Sequence, residues 1–172
     1  LLVDDIIKLS RLDENTPLPE REQVDLYDLS DDILENLRPA AQKRGIKLAI
    51  TGEHIKIRGV WRILNEVIYN LCDNAIKYNK DGGEVTVNIS RAENAIRLSV
   101  TDTGIGIPYA HHNRVFERFY RVNKGRAAGD NRGGTGLGLS IVKHGAAYHG
   151  ARVELDSEPG RGTTVTLVFP HG

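Results

Sequence analysis

Between Val60 and Val100 the hydrophobic period of the chain changes once, and that change limits what the chain can fold into. Val60, Leu64, Val67, Ile68, Leu71 and Ala75 recur mostly at steps of three and four, which places them on one side of an α-helix. After the turn Asp81-Gly82-Gly83, Val85, Val87 and Ile89 alternate with polar residues. After a second turn, Arg91-Ala92-Glu93-Asn94, Ile96, Leu98 and Val100 alternate again. Alternation on both sides of a short turn reads as an antiparallel hairpin with one apolar face. A helix with one apolar side and a hairpin with one apolar face, adjacent in sequence, bury both surfaces by packing on each other. The expected fold is therefore α/β: a two-layer sandwich with a mixed, mostly antiparallel sheet packed on helices.

The rest of the chain extends this pattern. Glu22 to Leu26 reads as a short strand. Ser30-Asp31-Asp32 offers helix-start chemistry for a helix running to about Arg44 and closed by Gly45. Ile46 to Ile50 alternates like a strand, Gly136 to His149 reads as helix, and Val153–Leu155 with Val165–Phe169 forms a closing strand pair across Glu158-Pro159-Gly160-Arg161-Gly162. Residues 1–14 carry an apolar stripe (Leu2, Ile6 and Leu9, with Val3, Ile7 and Leu12 beside it) that ends at Asn15-Thr16-Pro17-Leu18-Pro19. That stripe is too short to bury itself. Three segments result: a helix end at 1–14, a linker at 15–19 and one globular domain at 20–172. The chain opens on Leu1 without Met, as an excised piece would, and a receiver domain directly behind Phe169-Pro170 is not expected.

Composition excludes some function classes. Lys plus Arg and Asp plus Glu are both 23, so there is no global charge to hold nucleic acid or an anionic membrane. A phosphate site, if present, must be local. The single cysteine, Cys72, rules out an internal disulfide framework and a cysteine-cluster zinc site. No apolar run approaches the ~20 residues that span a bilayer, so this stretch is expected to make no membrane contact.

The chemistry concentrates at a few positions. On the helix from Val60 to Tyr78, Asn70, Asn74 and Lys77 project within roughly 60° of one another, beside the apolar stripe. An amide oxygen suits a hard cation such as Mg²⁺, and an ammonium neutralises phosphate; a solvated helix edge would look the same. Asp102 shares the parity of Ile96, Leu98 and Val100 and so faces the core side. A carboxylate there accepts hydrogen bonds, as from the exocyclic amine of a base, though a strand-end Asp that starts a turn is common. It runs directly into Asp102-Thr103-Gly104-Ile105-Gly106-Ile107-Pro108. A second glycine cluster, Gly133-Gly134-Thr135-Gly136-Leu137-Gly138-Leu139, opens a helix, where backbone N–H groups gather anions. Between the clusters lie Arg114, Arg118, Arg121, Lys124, Arg126 and Arg132 against Glu117 and Asp130. A lid that closes on phosphates accounts for the charge, the length and the bracketing glycines together.

These motifs, in this order, resemble those of the sensor histidine kinases over nearly the whole chain. Asn70 to Tyr78 is similar to the family's N box, Asp102 to Pro108 to its first glycine box, Phe116 to Val122 to its F box, and Gly134 to Ser140 to its second glycine box. Val153 to Pro170 resembles the closing strands, with the SEPGRGTT turn typical of them. The resemblance implies a Bergerat ATP-binding fold with ATP and Mg²⁺ as ligands. It implies that Asn74 binds the metal, Asn70 supports the phosphates, Lys77 contacts phosphate and Tyr78 lines the nucleotide. Asp102 would accept from the adenine amine, while Gly104, Gly106 and Ile107 shape the adenine pocket. Arg118 and Arg121 would reach the phosphates, and Gly134, Thr135, Gly136, Leu137 and Gly138 would bring backbone amides to the site. Residues 1–14 resemble the end of the second helix of the dimerisation domain.

The implied partners are the chain's own dimerisation domain, a second copy of the full-length protein and a response regulator. The implied setting is the cytoplasmic part of a membrane-anchored sensor. The family's acceptor histidine precedes an acidic residue, and none of His54, His111, His112, His144, His149 and His171 does. The chain is thus expected to bind ATP but not to phosphorylate itself, with its histidines structural or solvent-facing. Two other readings compete: an ATPase, which would need a glutamate where Asn70 stands because a carboxamide is no general base, and a nucleotide-sensing module or scaffold.

Overall fold

The computed structural model describes residues 20–117 and 138–170. A five-stranded sheet runs in the order β2-β4-β5-β7-β6, where β2 is Lys47–Gly52, β4 Glu84–Ala92, β5 Ala95–Asp102, β6 Arg152–Glu158 and β7 Gly162–Pro170. Only β2 and β4 are parallel; the other neighbours are antiparallel. Among the described residues, helices α1 (Leu26–Gln42), α2 (Trp61–Lys77) and α3 (Gly138–Tyr148) accompany this sheet. The expected two-layer α/β sandwich is the observed one.

The alternating residues land where their parity requires. Val85, Val87, Ile89, Ile96, Leu98 and Val100 are all buried, and the hairpin register pairs Val87 with Val100 and Ile89 with Leu98. Above them lie Leu64, Val67, Ile68 and Leu71 of α2, also buried. Helix α3 approaches α2 at Gly145, where a methyl group would sit 2.3 Å from Val67 Cγ2. Glycine at that position permits the close approach. His149 ties the two helices together. Its Nδ1 donates to the Gly145 carbonyl at 2.9 Å and its Nε2 accepts from the Val60 N–H at 3.0 Å, so the neutral ring satisfies a donor at the start of α2. Burial, together with the charge of Arg21, holds its pKa below the usual histidine value, against the hydrogen bond to Gly145.

Two expectations need correction. Ser30-Asp31-Asp32 does not start the first helix. That helix begins at Leu26, so the strand before it, β1 (Glu22–Asp25), stops at Asp25 and does not include Leu26. Asp25 is the N-cap, its Oδ1 accepting from the Asp28 N–H at 3.0 Å. Either carboxylate could cap; the earlier one wins because Leu26, Leu29, Ile33 and Leu34 all reach the core when the helix starts there. The second correction is an added strand, β3 (Lys56–Gly59), which pairs with β1 (Glu22–Asp25) in a separate two-stranded sheet.

Ser30 consequently sits mid-helix, fully buried, and its hydroxyl has no hydrogen-bond partner among the described residues. A buried, unpaired hydroxyl is destabilising, and Ala has the higher helix propensity. Ser30→Ala is expected to stabilise the domain by about 1 kcal/mol, read as a rise in the urea midpoint at unchanged slope. A fall in the midpoint would contradict the assignment. Among the described residues no helix is long and apolar enough to cross a membrane.

Candidate functional site

The C-terminal half of α2, the loop after β5 and the first turn of α3 converge on one edge of the sandwich. Helix α2 carries Asn70, Asn74 and Lys77 on a single polar stripe because its opposite side is committed to the core. Asn70 Nδ2 donates back to the Glu66 carbonyl at 2.6 Å, which leaves its amide oxygen facing outward. Gly138 opens α3 directly opposite. A methyl group at Gly138 would lie 3.2 Å from Asn70 Oδ1 and 3.5 Å from Asn74 Nδ2. The amide pair of one helix therefore borders the backbone at the N-terminus of the other. Amide oxygens beside helix N–H groups form a donor set for a hard cation and an anion held together. Lys77 does not stand free: its ammonium pairs with Asp73 at 2.8 Å.

The end of α2 is locked by hydrogen bonds from distant segments. Arg44, in the turn before β2, donates through Nη1 to the Ile76 carbonyl and, at 3.2 Å, to that of Lys77, while Nη2 reaches the Asn79 carbonyl at 2.5 Å. Its Nε pairs with Asp81 at 2.9 Å. One guanidinium thus gathers three carbonyls around the C-terminal end of the helix, where intrahelical donors run out. The Tyr78 carbonyl is taken by the Ile105 N–H at 3.1 Å, which joins α2 directly to the first glycine-rich loop. Asn79 is fully buried beside that junction. It donates to the Glu84 carbonyl at 2.9 Å and accepts from the Lys80 N–H at 2.8 Å and the Thr103 hydroxyl at 3.3 Å.

Asp102 is the last residue of β5, as its parity requires, paired with Val85 on one side and Thr163 on the other. Its Oδ1 accepts from the Gly104 N–H at 2.8 Å and the Thr163 N–H at 3.3 Å. With Oδ1 held in this way, Oδ2 is the oxygen left to accept from a ligand. Burial pushes the Asp102 carboxyl up to about 6, against the lowering effect of the two backbone hydrogen bonds. The site presents a partly desolvated carboxylate with one oriented oxygen, which is the complement of an exocyclic amine.

The loop behind Asp102 is backed by the β6–β7 turn. Gly104 lies against α2, where a methyl group would come 2.3 Å from the Tyr78 carbonyl oxygen. Gly106 has φ 72°, and a methyl group there would come 2.0 Å from the Glu158 carbonyl oxygen. The Ile107 N–H donates to Ser157 Oγ at 2.7 Å. Ser157 is buried, and its hydroxyl also meets Thr163 Oγ1 at 2.7 Å and the Gly162 carbonyl at 3.0 Å. Arg44, Asn79, Ser157 and Thr163 were not among the residues expected from the sequence. Ser157 and Thr163 lie in the SEPGRGTT turn, which signalled only a strand connection; Arg44 carries no local signal, because its partners are set by tertiary contact, and Asn79 joins its own turn to Thr103 only once the core has formed.

Of the expected site residues, Asn70, Asn74, Lys77, Tyr78, Asp102, Gly104, Gly106, Ile107 and Gly138 lie together on this edge. Arg118, Arg121, Gly134, Thr135, Gly136 and Leu137 lie outside the described residues, as does most of the expected lid. Among the described histidines, His149 is structural, its Nε2 accepting from the Val60 N–H. His54 Nδ1 meets Asp25 and Asp28 carboxylate oxygens at 3.2 and 3.3 Å. Asp25 is already engaged as the helix cap there, and the positive end of the α1 dipole opposes a cation. Cys72 is buried in the core, and burial, with the charge of Asp73, pushes its thiol up to about 12, so it is an inert packing residue.

Comparison with known proteins agrees with this geometry. Residues 59–172 match the family of histidine kinase-, DNA gyrase B- and HSP90-like ATPases. The sensor-like histidine kinase SenX3 of Mycolicibacterium smegmatis is 39% identical over 172 residues, which cover 98% of this chain and 44% of that protein. The phosphate regulon sensor protein PhoR of Pseudomonas aeruginosa is 36% identical over 169 residues, 98% of this chain and 38% of that one. The chain thus spans less than half the length of these curated relatives. Among solved structures, the mycobacterial sensor histidine kinase MprB superposes with a TM-score of 0.76 at 31% identity, covering 87% of this chain and 97% of that one. Full-length ShkA in complex with AMPPNP gives 0.84 at 27% identity, covering 99% and 36%. The chain belongs to the histidine kinase-, DNA gyrase B- and HSP90-like ATPase family, and within it to the ATP-binding catalytic domains of sensor histidine kinases.

Proposed function

We propose that this domain holds ATP with Mg²⁺ and delivers the γ-phosphate to a histidine on a dimerisation domain of the same protein, from which it passes to an aspartate of a response regulator. The observation that carries the reading is the pairing of two separate recognition elements on one edge. Asp102 offers one oriented oxygen to the adenine amine, and the Asn70–Asn74 amide pair opposite Gly138 receives the phosphates and the metal. In this reading Asn74 supplies an amide oxygen to Mg²⁺, which would neutralise phosphate charge when bound. Asn70 supports the phosphates, and Lys77 adds a positive charge. Tyr78, Gly104, Gly106 and Ile107 wall the base. Arg118, Arg121, Gly134, Thr135, Gly136 and Leu137 complete the phosphate end by resemblance.

In the transfer, a bond forms between the acceptor imidazole nitrogen and the γ-phosphorus. The bond from that phosphorus to the β–γ bridging oxygen breaks, and ADP leaves. The domain contributes positioning and charge compensation, which carry most of phosphoryl-transfer catalysis. The α2 stripe holds a carboxamide, Asn70, where water activation would need a carboxylate, which favours transfer to a protein over hydrolysis. The match to SenX3 over 98% of this chain supports reading residues 1–14 as the end of a dimerisation helix, with a second copy of the full-length protein as partner. In this reading the domain is the cytoplasmic part of a membrane-anchored sensor.

The test follows the γ-phosphate of labelled ATP, using this chain and a longer one extended upstream through an acceptor helix. The expected result is no label on this chain and an acid-labile phosphoprotein on the longer one. Rapid release of inorganic phosphate by this chain alone, abolished by Asp102→Asn, would make it an ATPase instead.

A further inference from the structure

Lys77, the lysine of the phosphate-facing stripe, already has an anionic partner within its own helix. Its ammonium lies 2.8 Å from the Asp73 carboxylate, four residues earlier. A carboxylate N-terminal to an ammonium at this spacing is the favoured order for a helical pair. Asp73 is the less exposed of the two, with a side chain 24% exposed against 40% for Lys77, so the contact is better shielded than a fully solvated surface pair. Burial alone would lower the Lys77 pKa. The hydrogen bond and charge of Asp73 outweigh it, and the pKa lies above the usual lysine value. At ~100° per residue Asp73 flanks Asn70 and Lys77 on the same arc of α2. A phosphate entering beside Asn74 therefore meets a carboxylate and a lysine whose charge is already balanced.

We infer that Asp73 sets the affinity of the site for phosphorylated nucleotides by competing with phosphate for Lys77. This rests on the reading of Lys77 as a phosphate contact. The competition acts as a population tax. Lys77 binds phosphate fully only from the state in which it has left Asp73, and apparent affinity falls by the fraction in that state. Removing the carboxylate frees the lysine. Asp73 is a positioning residue in this scheme, acting through Lys77 and touching no ligand itself.

The test measures binding of Mg²⁺–AMPPNP and of adenosine by titration calorimetry to this chain and to Asp73→Asn, Lys77→Gln and the double variant. For a partly exposed pair, Asp73→Asn is expected to tighten AMPPNP by about three- to sixfold. Adenosine affinity stays unchanged, and in the Lys77→Gln background the gain disappears. A general structural disturbance would move adenosine as well. Unchanged or weaker AMPPNP binding in Asp73→Asn, with Lys77→Gln still weakening it, overturns the inference and leaves the phosphate reading of Lys77 standing. A gain that persists without Lys77 also overturns it, because plain repulsion by Asp73 would then be the cause. Unchanged AMPPNP affinity in Lys77→Gln removes both the inference and the reading beneath it.

Discussion

Asp102→Asn is expected to abolish useful nucleotide affinity while making the nucleotide-free domain more stable. The variant keeps an oxygen to accept from Gly104 and Thr163, the two N–H groups that hold Oδ1 in the wild type. Its NH₂ then takes the place of Oδ2 and faces the adenine amine, donor against donor. Loss of a charge-assisted hydrogen bond together with an unpaired donor weakens binding by about a hundredfold or more. Stability moves the other way. The fold raises the carboxyl from 3.8 to about 6, so the folded state favours the protonated form. The stability linked to that proton is fully present below pH 3.8 and is lost as pH rises through about 6. A neutral carboxamide avoids that loss, and Asp102→Asn should be more stable than wild type at pH 7.5 by about 1 to 3 kcal/mol. The gap should close toward pH 4. Urea melts at both pH values, beside AMPPNP titrations, check the two halves separately. Wild-type affinity in the variant would remove Asp102 from the adenine site. A variant less stable at pH 7.5 would mean that the carboxylate is paired in the fold in a way its contacts do not show.

The second large effect is expected at Gly106, and Gly82 supplies its control. The two residues have nearly the same backbone, φ 72° and 78°, so a side chain at either meets the same left-handed strain, about 1 kcal/mol. They differ in space. Around Gly82 none of the described residues lies within 4 Å of the added methyl, whereas at Gly106 it would come 2.0 Å from the Glu158 carbonyl oxygen and 2.9 Å from Pro159 Cα. Those are backbone atoms of the β6–β7 turn and cannot rotate away. Gly82→Ala should therefore cost about 1 kcal/mol and leave nucleotide affinity intact. Gly106→Ala should push the loop off the turn, cost about 3 kcal/mol or more, and weaken AMPPNP binding at least tenfold even where the domain still folds. Equal losses in the two variants would mean that φ alone matters and that the turn does not support the loop.

The N-box helix, the hairpin and the Asp102 parity were legible because each depends on a period carried by the residues themselves. Val85, Val87 and Ile89 have one buried solution, and it places Asp102 on the core side. The start of α1 was not legible. Asp25 and the Ser30-Asp31-Asp32 group offer the same capping chemistry, and only the burial of Leu26 and Leu29 against the core chooses between them. Strand β3 was missed because Lys56-Ile57-Arg58-Gly59 is too short to display a period. Its identity as a strand comes from pairing with β1.

The sequence by itself determined the class of the protein and the chemical type of its site: a two-layer sandwich, an amide-and-lysine stripe on one helix, and an acidic strand end running into glycine. Those follow from local periodicity and from which side chains can accept, donate or ligate. Only the tertiary structure decided how the pieces are held. Arg44 reaches across 32 to 35 residues to the end of α2. Ser157 supports Ile107 from 50 residues away. A hydrogen bond between distant segments leaves no period in the chain, because its geometry exists only after the core has brought its partners together.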